Sequence, residues 1–139
     1  MTCAVDTSVL VDLFAGVGAE AEAAAKLLAG ARSFAPLVIS GSVHAELRAG
    51  PGASVERLDG ALQRARIDVD WIADEELWRT AGAAFNAYSS RRRKSGGGPP
   101  RRLLTDFIIG AHALSCGALL TRDRRLYAVS FPRLRLISG

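Results

Sequence analysis

The sequence predicts an α/β fold in which a small parallel sheet is sandwiched by helices. Short apolar runs of strand length alternate with stretches of helical period, two of those runs end at or next to an aspartate, and Gly or Pro separates the segments. The chain has 139 residues, 49% of them hydrophobic and 23% charged, which suits one domain over residues 1–139 with a core of its own. That balance excludes a disulfide-framework miniprotein, a disordered tail and a fibrous repeat.

Thr2 to Val5 reads as a strand ending at Asp6, and Val9, Leu10, Leu13 and Phe14 then recur at helical spacing until Gly16 and Gly18. Ala24, Leu27, Leu28 and Ala31 form one face of an Ala-rich helix. Leu37 to Ala49 fits a strand at Leu37-Val38-Ile39, or a single helix through Ile39, Val43 and Leu47 with Pro36 near its first turn. The helix is the reading preferred here. Gly50-Pro51-Gly52 is a turn, Ser54 caps a helix carrying Val55, Leu58, Leu62 and Ala65, and Ile67, Val69 and Trp71 alternate with aspartates as in a strand.

Asp74 is a good N-cap for a helix whose stripe is Leu77, Trp78, Ala81, Ala84, Phe85 and Tyr88. Residues 91–102, which include the run Arg91 to Lys94 and the segment Ser95 to Pro100, are expected to form a mobile basic Gly/Pro loop. Leu103 to Cys116 is apolar nearly all round, as in a buried helix. Ala118 to Thr121 and Leu134 to Ile137 are the last strands.

The net charge of +4 conceals a division along the chain. Residues 1–90 hold 7 Lys or Arg against 12 Asp or Glu, whereas residues 91–139 hold 11 against 2. Six of these eleven cations, Arg91, Arg92, Arg93, Lys94, Arg101 and Arg102, lie in one segment. Such a cluster favours a polyanion, and the planar guanidinium fork suits phosphate. The same run would also complement the negative C-terminal end of a helix, and the two readings are compatible.

Four acids occupy special places. Asp6 closes the first apolar run and Asp123 follows Leu120-Thr121 by two residues, so in a parallel sheet both lie at C-terminal strand ends, where α/β folds place their sites. Asp106 opens the buried helix, and Glu46 sits in the apolar context Val43-His44-Ala45-Glu46-Leu47. Singly, Asp6 and Asp106 could simply cap helices, and Glu46 or Asp123 could pair with an arginine. Together they suggest converging carboxylates, and two carboxylates about 4 Å apart repel by roughly 4 kcal/mol at an effective dielectric near 20. An all-oxygen set suits Mg²⁺ or Mn²⁺ and not zinc, and such an ion serves phosphodiester hydrolysis.

The segments Val5-Asp6-Thr7-Ser8-Val9-Leu10, Ala45-Glu46-Leu47, Thr105 to Leu114 and Leu120-Thr121-Arg122-Asp123 resemble, in order and spacing, the four acidic motifs of PIN-domain ribonucleases. Over the whole chain, size and termini look like the VapC toxins of type II toxin-antitoxin modules. The resemblance implies a PIN-like fold in which Asp6, Glu46, Asp106 and Asp123 surround Mg²⁺ or Mn²⁺, with Ser8 and Thr121 as supporting polar groups. It further implies an RNA substrate, a homodimer and a cognate antitoxin that covers the active site. Two departures stand out: Arg124 and Arg125 follow Asp123 where some relatives carry a further Asp or Asn, and the segment 91–102 looks longer than usual.

Other signals weigh less. His44 and His112 are isolated in apolar helical contexts and read as structural, and Trp71, Trp78, Phe85 and Tyr88 read as core in preference to a base-stacking platform. Cys3 and Cys116 have no basic neighbour pattern and read as buried, reduced thiols. Asp12 is expected to face solvent. The longest uncharged apolar stretch, Phe107 to Leu120, is too short for the roughly 18 to 20 residues of a membrane span. The N-terminus lacks a signal-peptide pattern, and a cytoplasmic location is the expectation. A phosphoacceptor receiver domain would need a late pocket lysine, but the only lysines are Lys26 and Lys94. A catalytically silent RNA-binding or protein-interaction module with the same fold is the remaining alternative.

Overall fold

The protein is represented by a computed structural model that describes residues 1–99 and 102–138. Its centre is a five-stranded parallel sheet in the order β3-β2-β1-β4-β5, flanked by helices. The strands are β1 (Thr2–Val5), β2 (Leu37–Ser40), β3 (Ile67–Asp70), β4 (Gly117–Leu120) and β5 (Arg135–Ile137). The helices are α1 (Thr7–Ala15), α2 (Ala19–Arg32), α3 (Gly41–Arg48), α4 (Val55–Arg64), α5 (Glu75–Lys94), α6 (Leu104–Cys116) and α7 (Arg124–Ser130). Parallel strands require crossovers, and the helices supply them. Among the described residues no helix is long and apolar enough to cross a membrane.

The chain first builds outward from β1 through β2 to β3, then returns to the other side of β1 with β4 and β5. The order therefore reverses between β1 and β4, and a crevice opens beyond their carboxyl ends at that point. Val5 pairs with Leu120 in register. The next residue on each strand, Asp6 and Thr121, is thereby delivered to the mouth of that crevice. Asp6 N–H donates to the Leu120 carbonyl at 2.9 Å, which ties the turn after β1 to the end of β4.

The centre of the sheet is dry. Cys3, Ala4 and Val5 of β1 and Ala118, Leu119 and Leu120 of β4 are all buried, as are Val9 and Leu10 on α1. Across α6, Phe107, Ile109, Ala111, His112 and Ala113 are also buried, which explains its nearly uniform apolar sequence. Phe85 and Tyr88 of α5 pack on Phe107, with ring centroids 4.8 Å and 5.5 Å away. Gly110 lets the ring of Phe131 lie against α6: a Cβ at this position would sit 2.1 Å from the nearest ring carbon.

Several expectations need correction. Leu37 to Ala49 is not one helix, because Leu37–Ser40 is a strand paired with both β1 and β3 and only Gly41–Arg48 is helical. A strand buried on both faces has no period-2 alternation to reveal it, and Ser40 ends it by accepting the Val43 N–H at α3's start. Arg91 to Lys94 are not loop residues; they form the last turn of α5, so the expected loop over 91–102 begins after Lys94. Arg101, counted with that basic segment, lies outside the described residues.

Trp71 and Trp78 are not core: they are 66% and 51% exposed, Trp71 because β3 ends one residue before it and Trp78 because it stands beside the Leu77–Ala81 stripe. Asp12 does not stand free in solvent, since Arg122 donates to its carboxylate. Helix α7 had no counterpart in the sequence pattern.

Candidate active site

The four acids gather at the β1/β4 crevice from four separate elements. Asp6 is the N-cap residue of α1 but makes no side-chain capping bond. Its Oδ2 instead accepts from Thr121 Oγ1 at 2.7 Å and from Ser8 Oγ at 3.3 Å. Thr121 is fully buried, and its Oγ1 also accepts the Asp123 N–H at 2.9 Å. One hydroxyl therefore fixes two of the acids, and the polar neighbours expected to support them, Ser8 and Thr121, both touch Asp6.

The remaining carboxylates have distinct environments. Glu46, on α3, is exposed, and Thr7 Oγ1 donates to its Oε1 at 2.7 Å. Asp106 lies in the first turn of α6, where the helix N-terminus favours a negative charge. Asp123 caps α7 by accepting the Leu126 N–H at 3.4 Å, and its Oδ2 lies 2.5 Å from Arg102 Nη1. For Asp123, therefore, the arginine pair that was the plain alternative to a functional role is present, together with a helix cap.

Electrostatics record how close these groups are. Burial raises the pKa of Asp6; the hydroxyls of Thr121 and Ser8 and the Thr7 N–H oppose that rise, and the charge of Glu46 adds to it. Asp106 is raised too, first by burial and then by Asp6, with Arg102 pulling the other way and Glu46 contributing further. Behind them stands Tyr127 of α7, 1% exposed, whose hydroxyl has no hydrogen-bond partner among the described residues. Burial raises its pKa far beyond the usual range, and the charges of Asp6, Asp106, Asp123 and Glu46 each push it higher. The charges of all four acids therefore act on one phenol. Tyr127 escaped sequence reasoning because α7 did.

The donor set is chemically suited to a hard divalent cation: every group is a carboxylate, and two of them are held at raised pKa by burial and by one another. Among the described residues no group of three or more His, Cys, Asp or Glu side chains forms a ready metal cage.

The remaining candidates divide. Arg102 reaches the acidic centre itself, whereas Arg91 and Arg92 line a cavity beside it with Arg125. Arg93 donates to Ser90 on its own helix, and Lys94 belongs to the same last turn. His112 is buried as expected, 2% exposed, with Nε2 lying 3.1 Å from Asp70 Oδ2. His44 pairs in the same way with Asp59 at 3.0 Å. Cys3 and Cys116 are both free thiols, but Cys116 is only half-buried and does have a basic neighbour, its Sγ lying 3.6 Å from His112 Nε2.

Comparison with known proteins agrees with this fold. The PIN domain family matches residues 3–132. A structure of VapBC-1 from nontypeable Haemophilus influenzae is similar over 99% of this chain and 98% of its own, with a TM-score of 0.69 and 22% identity. VapBC2 from Rickettsia felis, bound to a DNA fragment from its promoter, gives a TM-score of 0.65 at 17% identity, covering 99% and 98%. FitAcB from Neisseria gonorrhoeae gives 0.64 at 17% identity, covering 98% and 96%. No curated protein matches the chain.

Proposed function

Because the chain belongs to the PIN domain family, whose members are generally nucleases, we propose that it is a Mg²⁺- or Mn²⁺-dependent endoribonuclease acting as the toxin of a type II toxin-antitoxin pair. The observation that carries the catalytic reading is the Thr121 hydroxyl that joins Asp6 and Asp123 at the carboxyl ends of β1 and β4, with Thr7, next to Asp6, holding Glu46. The toxin reading rests on the VapC-like resemblance over the whole chain and on the fold shared with VapBC and FitAcB. A cognate antitoxin, a homodimer and a cytoplasmic setting belong to the same reading.

Asp6 and Asp106 are assigned as the principal holders of the cation, with Glu46 and Asp123 as further ligands or water-orienting groups. When bound, the ion supplies charge neutralisation at the phosphoryl oxygens and lowers the pKa of water near phosphorus. The chain's own work is positional. Thr121 and Ser8 fix the Asp6 carboxylate, Thr7 holds Glu46, and Arg102 balances Asp123. Hydrolysis then proceeds by attack of water on phosphorus in line with the departing ribose oxygen.

Asp6→Asn or Asp106→Asn should lower cleavage of mixed cellular RNA by orders of magnitude in Mg²⁺ or Mn²⁺, and EDTA should do the same to the native chain. Wild-type rates in either variant would refute the assignment. One observation favours a second reading, a catalytically silent RNA-binding or interaction module: Arg102 already neutralises Asp123. That reading predicts RNA binding without cleavage, indifferent to divalent metal and to Asp6→Asn.

A further inference from the structure

A cavity of about 380 Å³ opens between the end of α5 and α7, beside the acidic centre. Four arginines line it: Arg91 and Arg92 from the last turn of α5, Arg102 from the segment before α6, and Arg125 from the first turn of α7. Tyr88 and Ser130 are also in its wall, and none of the described lining residues is acidic. Among the described residues no carboxylate pairs with Arg91, Arg92 or Arg125.

The four guanidiniums have different duties. Arg92 is tied into the turn after α5, its Nε donating to the Pro99 carbonyl at 2.8 Å and its Nη2 to that of Gly97. Arg102 is committed to Asp123 and so marks the border between the cavity and the acids. Among the described residues Arg91 makes only a 3.4 Å contact with Ser130 Oγ, and Arg125 is exposed one residue before Leu126, whose N–H Asp123 caps. Like charges sharing a concave space are stable with an anion between them, and guanidinium forks fit phosphate oxygens in pairs.

We propose that this cavity is a phosphate subsite, in which Arg91 and Arg125 hold a backbone phosphate of the RNA strand adjacent to the one presented to the carboxylates. The proposal rests on the nuclease reading above and gives it a direction, since the strand must run from the acids past Arg102 toward α5. It also assigns no comparable part to Arg93 and Lys94, although they are sequence neighbours of Arg91. Arg125, which the linear charge pattern does not single out, becomes a principal contact.

The test uses full-length Asp6→Asn protein, EDTA and a short fluorescent single-stranded oligoribonucleotide, with affinity read by anisotropy over a salt series. Adding Arg91→Ser and Arg125→Ser should weaken binding on the order of tenfold and reduce the salt slope by about 0.7, the value for one single-strand phosphate contact. Adding Arg93→Ser and Lys94→Ser removes the same charge and should change affinity less than about twofold.

Melting curves identify any variant that fails to fold. The pair Arg91→Lys and Arg125→Lys, which keeps the charge and loses the fork, should bind between parent and serine variant. Equal losses in the two charge-matched serine variants, no loss in either, or no binding by the parent would overturn the proposal, as would competition by polyglutamate as effective as by unlabelled RNA. If the native chain cuts no RNA while the difference between the variants persists, the nuclease reading fails and the phosphate subsite stands. If it cuts RNA and the two variants weaken equally, the reverse holds.

Discussion

The acidic centre and the basic cavity lie side by side, the acids beyond the carboxyl ends of β1 and β4 and the cavity between α5 and α7, yet they are built in opposite ways. The acids come from the ends of β1 and β4, from α3 and from the start of α6, positions up to 117 residues apart that only the parallel topology brings together. Their charge is costly, as the raised pKa values of Asp6 and Asp106 record. Most of the arginines come from one helix end and the segment after it, and Arg91 and Arg125 are exposed. Their charge costs little because water still solvates it. At the acidic centre the framework therefore has to be rigid, whereas in the basic cavity the number and reach of the cations matter more than any single position.

The largest effect that follows is the loss of cleavage in Asp6→Asn. Its stability should move the other way. A carboxylate whose folded pKa lies above its unfolded value weakens the fold once the pH exceeds the folded value, and this penalty fades as the pH falls toward the unfolded one. Asp6→Asn should therefore melt no lower than the native chain at neutral pH without metal. A marked drop in its melting temperature would mean that the carboxylate is a structural anchor.

A second break is aimed at the scaffold under the acids. Gly110→Ala would drive a methyl group into the Phe131 ring and cost about 1–3 kcal/mol in urea unfolding, with reduced activity because α6 carries Asp106. Arg91→Ser with Arg125→Ser should leave the unfolding midpoint nearly unchanged. Equal destabilisation of both would erase the contrast between the two regions.

The smallest expected effect lies away from both. Burial depresses the pKa of His112, but Cys116 and Asp70 outweigh it and the net shift is upward. That stabilisation is complete below the unfolded histidine pKa and is lost as pH rises through the folded one. Asp70→Asn should lower the His112 titration midpoint seen by NMR and cost about 1 kcal/mol or less, since Asp70 is partly exposed. An unmoved midpoint would show that Asp70 does not set the histidine's charge.

The difference between the two regions also explains what could be read from the sequence. Asp6 and Asp123 were legible because an apolar run leading to an acid has a definite meaning in a parallel sheet, and the arginine cluster was visible as a count. The partition of the arginines was not, because Arg91 to Lys94 follow one another in sequence but diverge around a helix. The seven residues of α7 are too few for a periodic signal, so Tyr127 and Arg125 stayed hidden with it. Strand β2 was merged into a helix because both its faces are buried. The Arg102–Asp123 pair bridges 21 positions, and no local pattern marks it.

The claim on which the account turns is that the four carboxylates act as one cation-binding centre. Calorimetric titration of the metal-free native chain with Mn²⁺, set beside Asp6→Asn, tests it without knowledge of the RNA target. The account predicts saturable binding by the native chain and its loss in Asp6→Asn. Identical isotherms for the two proteins, or no binding by either, would contradict it.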